Sequence, residues 1–303
     1  MTWRDGRVAG TAYAAALAGS AAALGVVASR IAVGAGGALQ DGALQDNAPQ
    51  DSAGGRVPLA ALRLAAVTAA GTWAVVGGRS LAREASAVES LLADGDLPGA
   101  RRRLTHLVGR RTEHLDEAEI ARAVIESVAE NTSDAVIAPV FWGAVAGLPG
   151  LLAYRAVNTL DAMVGHHSPR YERFGWASAR ADDIANYVPA RLTALLAGAV
   201  APAVGGSGRA ALAIARADGQ RHPSPNAGVC ESAYAGALGV RLGGRNDYGT
   251  RVEDRPVLGG PGKPATTADI GRAIRLSRGI TAAAALACGA LAVAAKVVAH
   301  PRT

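Results

Sequence analysis

The chain has 303 residues, half of them hydrophobic but only 4% aromatic, with 38 glycines, two cysteines and a formal net charge of +6. A positive mean hydropathy built on so few large side chains excludes an ordinary soluble core of this length and suits helices that approach closely inside a bilayer. The basic balance does not make a nucleic-acid binder, because the arginines are scattered through loops without aromatic partners, and Cys230 and Cys288 alone make neither a disulfide framework nor a paired-cysteine metal knuckle.

The first apolar stretch covers 8–37 and is predicted to span, being too long for a removable signal peptide. A tandem GALQD pentapeptide follows at 37–46 and reads as a disposable loop with no chemistry. The second span covers 58–78, with Arg63 one turn inside its start, where the side chain can snorkel to the interface. Residues 80–130 are polar, carry Arg101 to Arg103 and Arg110-Arg111, and are expected to form amphipathic helices on the cytoplasmic side. The 38–57 loop, with three Asp against one Arg, is expected on the other side.

On a helix Glu126, Glu130 and Asp134 fall at i, i+4 and i+8 and share one stripe, while Ile120, Val124 and Val128 form an apolar ridge on another side. Stacked acids are either a solvated helix face or a site for a divalent cation or cationic substrate. The apolar segment 135–160 that follows is broken by Pro139 and Pro149-Gly150, so it is either a kinked span or a re-entrant helical hairpin.

A second polar cluster runs through 155–187. Asn158 and Asp161 lie one turn apart, then come His166-His167-Ser168-Pro169-Arg170-Tyr171, then Asp182-Asp183 and Asn186. Such a set could hold Mg²⁺ and phosphate oxygens, or its histidines could be turn residues and its aspartates a helix cap. A fourth apolar segment covers 188–205, and 208–278 reads as a long polar loop.

Within that loop His222-Pro223-Ser224-Pro225-Asn226 precedes Glu231, and two prolines fix a turn that could present main-chain amides to an anion. Gly259-Gly260-Pro261-Gly262-Lys263 lacks the spacing of a Walker loop and runs into Pro264. A fifth apolar segment covers 279–299, anchored by Lys296. The expected fold is therefore an all-α, polytopic helical integral membrane protein of four to five apolar segments, forming one membrane domain over 1–303.

Three long motifs, ESVAENTSDAVIAPVFW (126–142), YRAVNTLDAMVGHHSPRYERFGWASARADDIANYVPARL (154–192) and HPSPNAGVCESAYAGALGVRLGG (222–244), occur in one order. Together they resemble the adenosylcobinamide-phosphate synthase family, closely over about 120–280 and loosely in the flanks. The resemblance implies an ATP-dependent amide synthesis in cobalamin biosynthesis. It joins an amino-alcohol, usually (R)-1-amino-2-propanol or its phosphate, to a propionate carboxylate of adenosylcobyric acid.

The same resemblance implies ATP and Mg²⁺, a multi-pass plasma-membrane protein with mainly cytoplasmic polar loops, no nucleic acid, and contacts with other cobalamin-biosynthesis enzymes. On it, Glu126, Glu130 and Asp134 are expected to form the catalytic acidic site. Glu130, Asp182 and Asp183 are expected at the metal, with Asp161 as a further acid for metal or amine. Asn131, Asn158, Asn226 and Glu231 are expected to orient substrate, and His166, Arg170 and Arg173 to hold phosphate. One departure stands out: the family's first helix normally ends in a Gly-Asp-Pro turn near a His-Pro-Val segment, and neither is present, as expected for a late start site or a shortened, divergent member. The rival expectations are a non-catalytic corrinoid-binding scaffold and a membrane transporter subunit, although no inverted repeat is visible.

Overall fold

The computed structural model describes residues 5–34, 59–165, 170–249 and 251–299, with side chains to Cys288. The GALQD repeat and His166 therefore lie outside the described residues. The chain divides into two compact units, Met1–Val76 with Pro139–Asp182, and Gly77–Ala138 with Asp183–Thr303, where the sequence reading had one domain. The helices in chain order are α1 (Arg7–Gly34), α2 (Leu59–Val75), α3 (Gly78–Ala93), α4 (Leu97–Leu104), α5 (Glu117–Thr132), α6 (Ala138–Leu160), α7 (Trp176–Val200), α8 (Gly208–Asp218), α9 (Ala227–Leu238) and α10 (Thr267–Ala299). Strands β1 (Leu242–Asp247) and β2 (Val252–Leu258) form an antiparallel hairpin between α9 and α10.

Four helical stretches among the described residues are long and apolar enough to cross a membrane: Arg7–Gly34, Leu59–Ala93, Glu117–Gly165 and Trp176–Val204. Their exposed apolar side chains, such as Leu24, Ile31, Leu62 and Trp73, are what a lipid-facing surface requires and what water would penalise.

In the first unit α1, α2 and α6 pack through small residues. A Cβ on Gly25 would strike the Pro149 backbone, and Val75, Leu148 and Leu151 make a small core joined by Ala28, Val67 and Leu152. α6 is not continuous: Ala146 and Gly147 leave helical geometry, and Gly147 takes φ 64° and ψ −156°, a conformation essentially restricted to glycine. The break precedes Leu148-Pro149 because the residue before proline resists the α conformation. The break divides the apolar Glu117–Gly165 stretch at residues 146–147. At the other end of the unit, Asp5 accepts the main-chain N–H groups of Arg173 at 3.1 Å and Phe174 at 2.7 Å, tying the start of α1 to the 170–175 turn.

The second unit is built around α5 and α9. α5 opens with a capping box, Asp116 accepting from the Glu119 N–H at 2.8 Å while the Glu119 carboxylate takes the Asp116 N–H at 2.9 Å. The ridge of Ile120, Val124 and Val128 is buried, as its spacing predicts. α9 is buried along its whole length, made almost entirely of small residues that let α8 come within backbone contact at Gly236. Thr132 bonds the Tyr234 hydroxyl at 3.0 Å and the Ser277 hydroxyl at 2.7 Å, joining α5, α9 and α10. The 208–278 stretch, read from the sequence as a long polar loop, is therefore largely ordered: α8, α9, the hairpin and the start of α10 lie within it. Lys263, the lysine of the glycine-rich turn, pairs with Asp269 at 3.4 Å.

Candidate functional site

The site lies in the second unit, where the carboxyl-terminal half of α5, the start of α9 and the hairpin meet. Glu126 is 7% exposed and fully partnered. Its Oε2 accepts from Arg110 at 2.6 Å, and its Oε1 accepts from the Gly243 N–H at 2.8 Å and from Arg122 at 3.3 Å. Two guanidinium groups thus neutralise one buried carboxylate, which is what allows the acid stripe to begin in the interior. Arg110 and Arg122 also donate to the Asn246 side-chain oxygen, and Arg122 donates to the carbonyls of Gly243 and Arg245.

The hairpin reaches Glu126 because of its irregular start. Register slips between Leu242 and Gly244, and Gly243 takes φ 79° with a Cβ-sized space already filled by the Pro256 carbonyl, so only glycine fits and its N–H is turned to the acid. Below the hairpin, His222 and Glu231 are both buried, with Nε2 and Oε1 3.9 Å apart. The Ser224 N–H donates to His222 Nδ1 at 3.1 Å. Arg255 brings Nη1 to 3.3 Å from His222 Nε2 and donates through Nη2 to the Tyr248 hydroxyl at 2.9 Å.

Electrostatics in this cluster are strongly perturbed. Burial, then the neighbouring charges of Glu126 and Glu130, push the Glu231 carboxyl well above the usual carboxylate range. Burial, then the Arg255 guanidinium, push the His222 imidazole below its ordinary value. A carboxyl and an imidazole with shifted proton affinities, set beside guanidinium groups, are the equipment of a substrate-binding or acid–base site.

The residues singled out from sequence divide between the two units. Glu126, Glu130, Asn131, Asp134, Asp183, Asn226 and Glu231 belong to the second, and Asn158, Asp161, Arg170, Arg173 and Asp182 to the first. The three acids of the stripe stand in different surroundings: Glu126 is buried, Asp134 half-buried in the π-helical turn Ser133–Ile137, and Glu130 exposed. Asn131 donates to the Ser127 carbonyl at 2.9 Å. Asn226 is an inner brace: its Nδ2 donates to the Asp183 carbonyl at 2.8 Å and its oxygen accepts from Arg191 at 2.8 Å.

In the first unit, Asn158 Nδ2 donates to Asp182 at 3.2 Å, Asp161 folds against Gly165, and Arg170 lies over the Tyr171 ring. Among the described residues, no three His, Cys, Asp or Glu side chains gather closely enough to hold a metal ion. Arg122, Asn246 and Arg255 had no part in the sequence reading. Arg110 had counted only as a loop charge, and the strand alternation of the hairpin is masked by its glycines.

Four helical stretches able to cross a membrane, with only a small two-stranded sheet beside them among the described residues, define a polytopic helical membrane protein. A model of the CobD/Cbib protein family matches residues 2–277, and the chain belongs to that family. Among similar proteins, the cobalamin biosynthesis protein CobD of Mycobacterium tuberculosis strain H37Rv is 46% identical over 286 residues, covering 94% of this chain and 82% of its own. The CobD protein of Rhodobacter capsulatus is 48% identical over 222 residues, 73% of this chain and 69% of the relative. That of Geobacter metallireducens is 53% identical over 192 residues, 63% and 60% of the two chains. No solved structure matches the chain. The membership places the protein in cobalamin biosynthesis.

Proposed function

We propose that the protein is an adenosylcobinamide-phosphate synthase, an ATP-dependent ligase that joins 1-amino-2-propanol or its O-phosphate to a carboxylate of adenosylcobyric acid at the plasma membrane, with its site facing the cytoplasm. The observation that carries the reading is the cluster of Arg110, Arg122, Glu126, His222, Glu231 and Arg255 in one water-poor corner of the second unit. A carboxylate is a poor acyl donor because oxide is a poor leaving group, so amide formation needs phosphoryl activation, and developing phosphate charge calls for fixed cationic donors. Arg255 is one such donor with N–H groups near the surface of the cluster. Exposed Glu130, on the turn after Glu126, suits the acceptance of the proton that the attacking ammonium must lose.

Mg²⁺ in such reactions takes most of its ligands from phosphate and water and needs one or two protein carboxylates. Asp134, one turn beyond Glu130, fits that modest demand and would hold the ion, which would neutralise phosphate charge. The test uses the full chain in nanodiscs with adenosylcobyric acid, ATP, Mg²⁺ and the amino-alcohol or its phosphate, following the corrinoid by mass. Amide product from wild type and none from Glu130→Gln is the expected result. Absence of product from folded protein that still binds the corrinoid moves the reading to a scaffold.

A further inference from the structure

Two buried polar atoms in the cluster have no partner, and they are of opposite kind. Glu231, 2% exposed, leaves Oε2 without a hydrogen bond, while Asn246, also 2% exposed, leaves Nδ2 without one because the arginines take only its oxygen. Buried groups of this sort are normally satisfied, so an acceptor and a donor left open together mark a place prepared for something else. A run of contacts links them: Glu231 Oε1 lies 3.9 Å from His222 Nε2, Arg255 Nη1 lies 3.3 Å from the same nitrogen, and Asn246 pairs across the hairpin with Glu253, two positions from Arg255. Arg255 and His222 supply the remaining polar surface, and Arg255, which Glu126 does not bond, is held in place by Glu253 at 3.3 Å and the Tyr248 hydroxyl at 2.9 Å.

The ligand that fits is small and carries both an oxygen acceptor and an amine, which enters uncharged and becomes the ammonium by taking the proton that the buried Glu231 carboxyl retains. We infer that Glu231, Asn246 and Arg255 form the amino-alcohol subsite, Glu231 Oε2 taking the ammonium, and Asn246 Nδ2 with the Arg255 guanidinium taking the hydroxyl or phosphate oxygen. The name of the ligand rests on the ligase reading, and the geometry of the subsite does not. Both open atoms are buried, and the hairpin is the element that carries Asn246 and Arg255.

The experiment is calorimetry on the full chain in nanodiscs, without ATP or corrinoid, using 1-aminopropan-2-ol O-phosphate and propyl phosphate, which lacks the ammonium. Wild type is expected to prefer the amine, and Glu231→Gln to lose about 30-fold in affinity for the amine while holding propyl phosphate unchanged. Asn246→Asp and Arg255→Gln are expected to weaken both ligands. Loss of both ligands alike in Glu231→Gln would reduce that residue to a structural part and overturn the subsite, as would no binding by wild type. Amine-selective binding with no amide product in the complete assay would sink the ligase reading and leave the subsite standing. Product formation with no Glu231-dependent selectivity would do the reverse.

Discussion

The carboxylate of Glu126 and the main-chain N–H of Gly243 meet at 2.8 Å across 117 positions of sequence, and this bond fastens the hairpin to α5. Both Glu126 oxygens are engaged, so the residue holds the hairpin in place. Glu126→Gln leaves the buried Arg110 without its carboxylate partner and should cost about 3 kcal/mol of stability. The specific signature is faster amide exchange over 242–258 by mass spectrometry, with α1 and α2 unchanged. Equal exchange in the two proteins would remove Glu126 from this role.

Glu130 differs because it is exposed. Glu130→Gln should fold as wild type and lose about 10²- to 10⁴-fold in kcat, the range of a single proton-transfer group, with little change in KM for the corrinoid. A rise in KM at unchanged kcat would make it a binding residue only.

Asp269 is held below its ordinary proton affinity: burial opposes this, but bonds from Thr266 and Arg272 and the charge of Lys263 outweigh it. A carboxyl whose folded value is depressed contributes stability above its unfolded value, and that stability is lost as pH falls through the folded one. Thermal stability should therefore drop on acidification below about pH 4, the unfolded Asp value. Asp269→Asn should be less stable at pH 7 by about 2 kcal/mol and flatter over the acid range.

His222 is shifted in the same direction with a different charge outcome. Its neutral form persists in the fold below the ordinary imidazole value of about 6.5, where the unfolded chain already takes up a proton. Stability should fall as pH drops below about 6.5, and ligand binding should persist to lower pH than a solvent-exposed histidine would permit. His222→Gln should remove this limb of the stability profile, and an unchanged profile would exclude His222 as its source.

Gly147→Ala should destabilise by about 1–3 kcal/mol, since the Gly147 backbone lies where side chains are strained, whereas Gly150→Ala tests close packing against Trp142 in the same helix. Thermal melts in detergent of the two variants separate backbone strain from crowding.

Much of the frame was legible because membrane helices and helix ridges are periodic and local. The first two spans, the break in 135–160 and the burial of Ile120, Val124 and Val128 follow from spacing alone. The site was half legible. An acid stripe can be counted along a helix, but which acid is buried depends on Arg110 and Gly243, one in an adjoining loop and the other far along the chain, and no periodicity connects them. The hairpin was missed because its glycines and charged residues break strand alternation, and its backbone bulge is chosen by contact with Glu126.

The bond between Asp5 and the turn at Arg173 and Phe174 has a practical corollary for orientation. A carboxylate cannot hold two amides from across a bilayer, so the start of α1 and the 170–175 turn open to one compartment. A single accessibility tag placed ahead of residue 5 thus reports the sidedness of the turn as well, and a cysteine-labelling probe inserted near Arg170 must give the same answer.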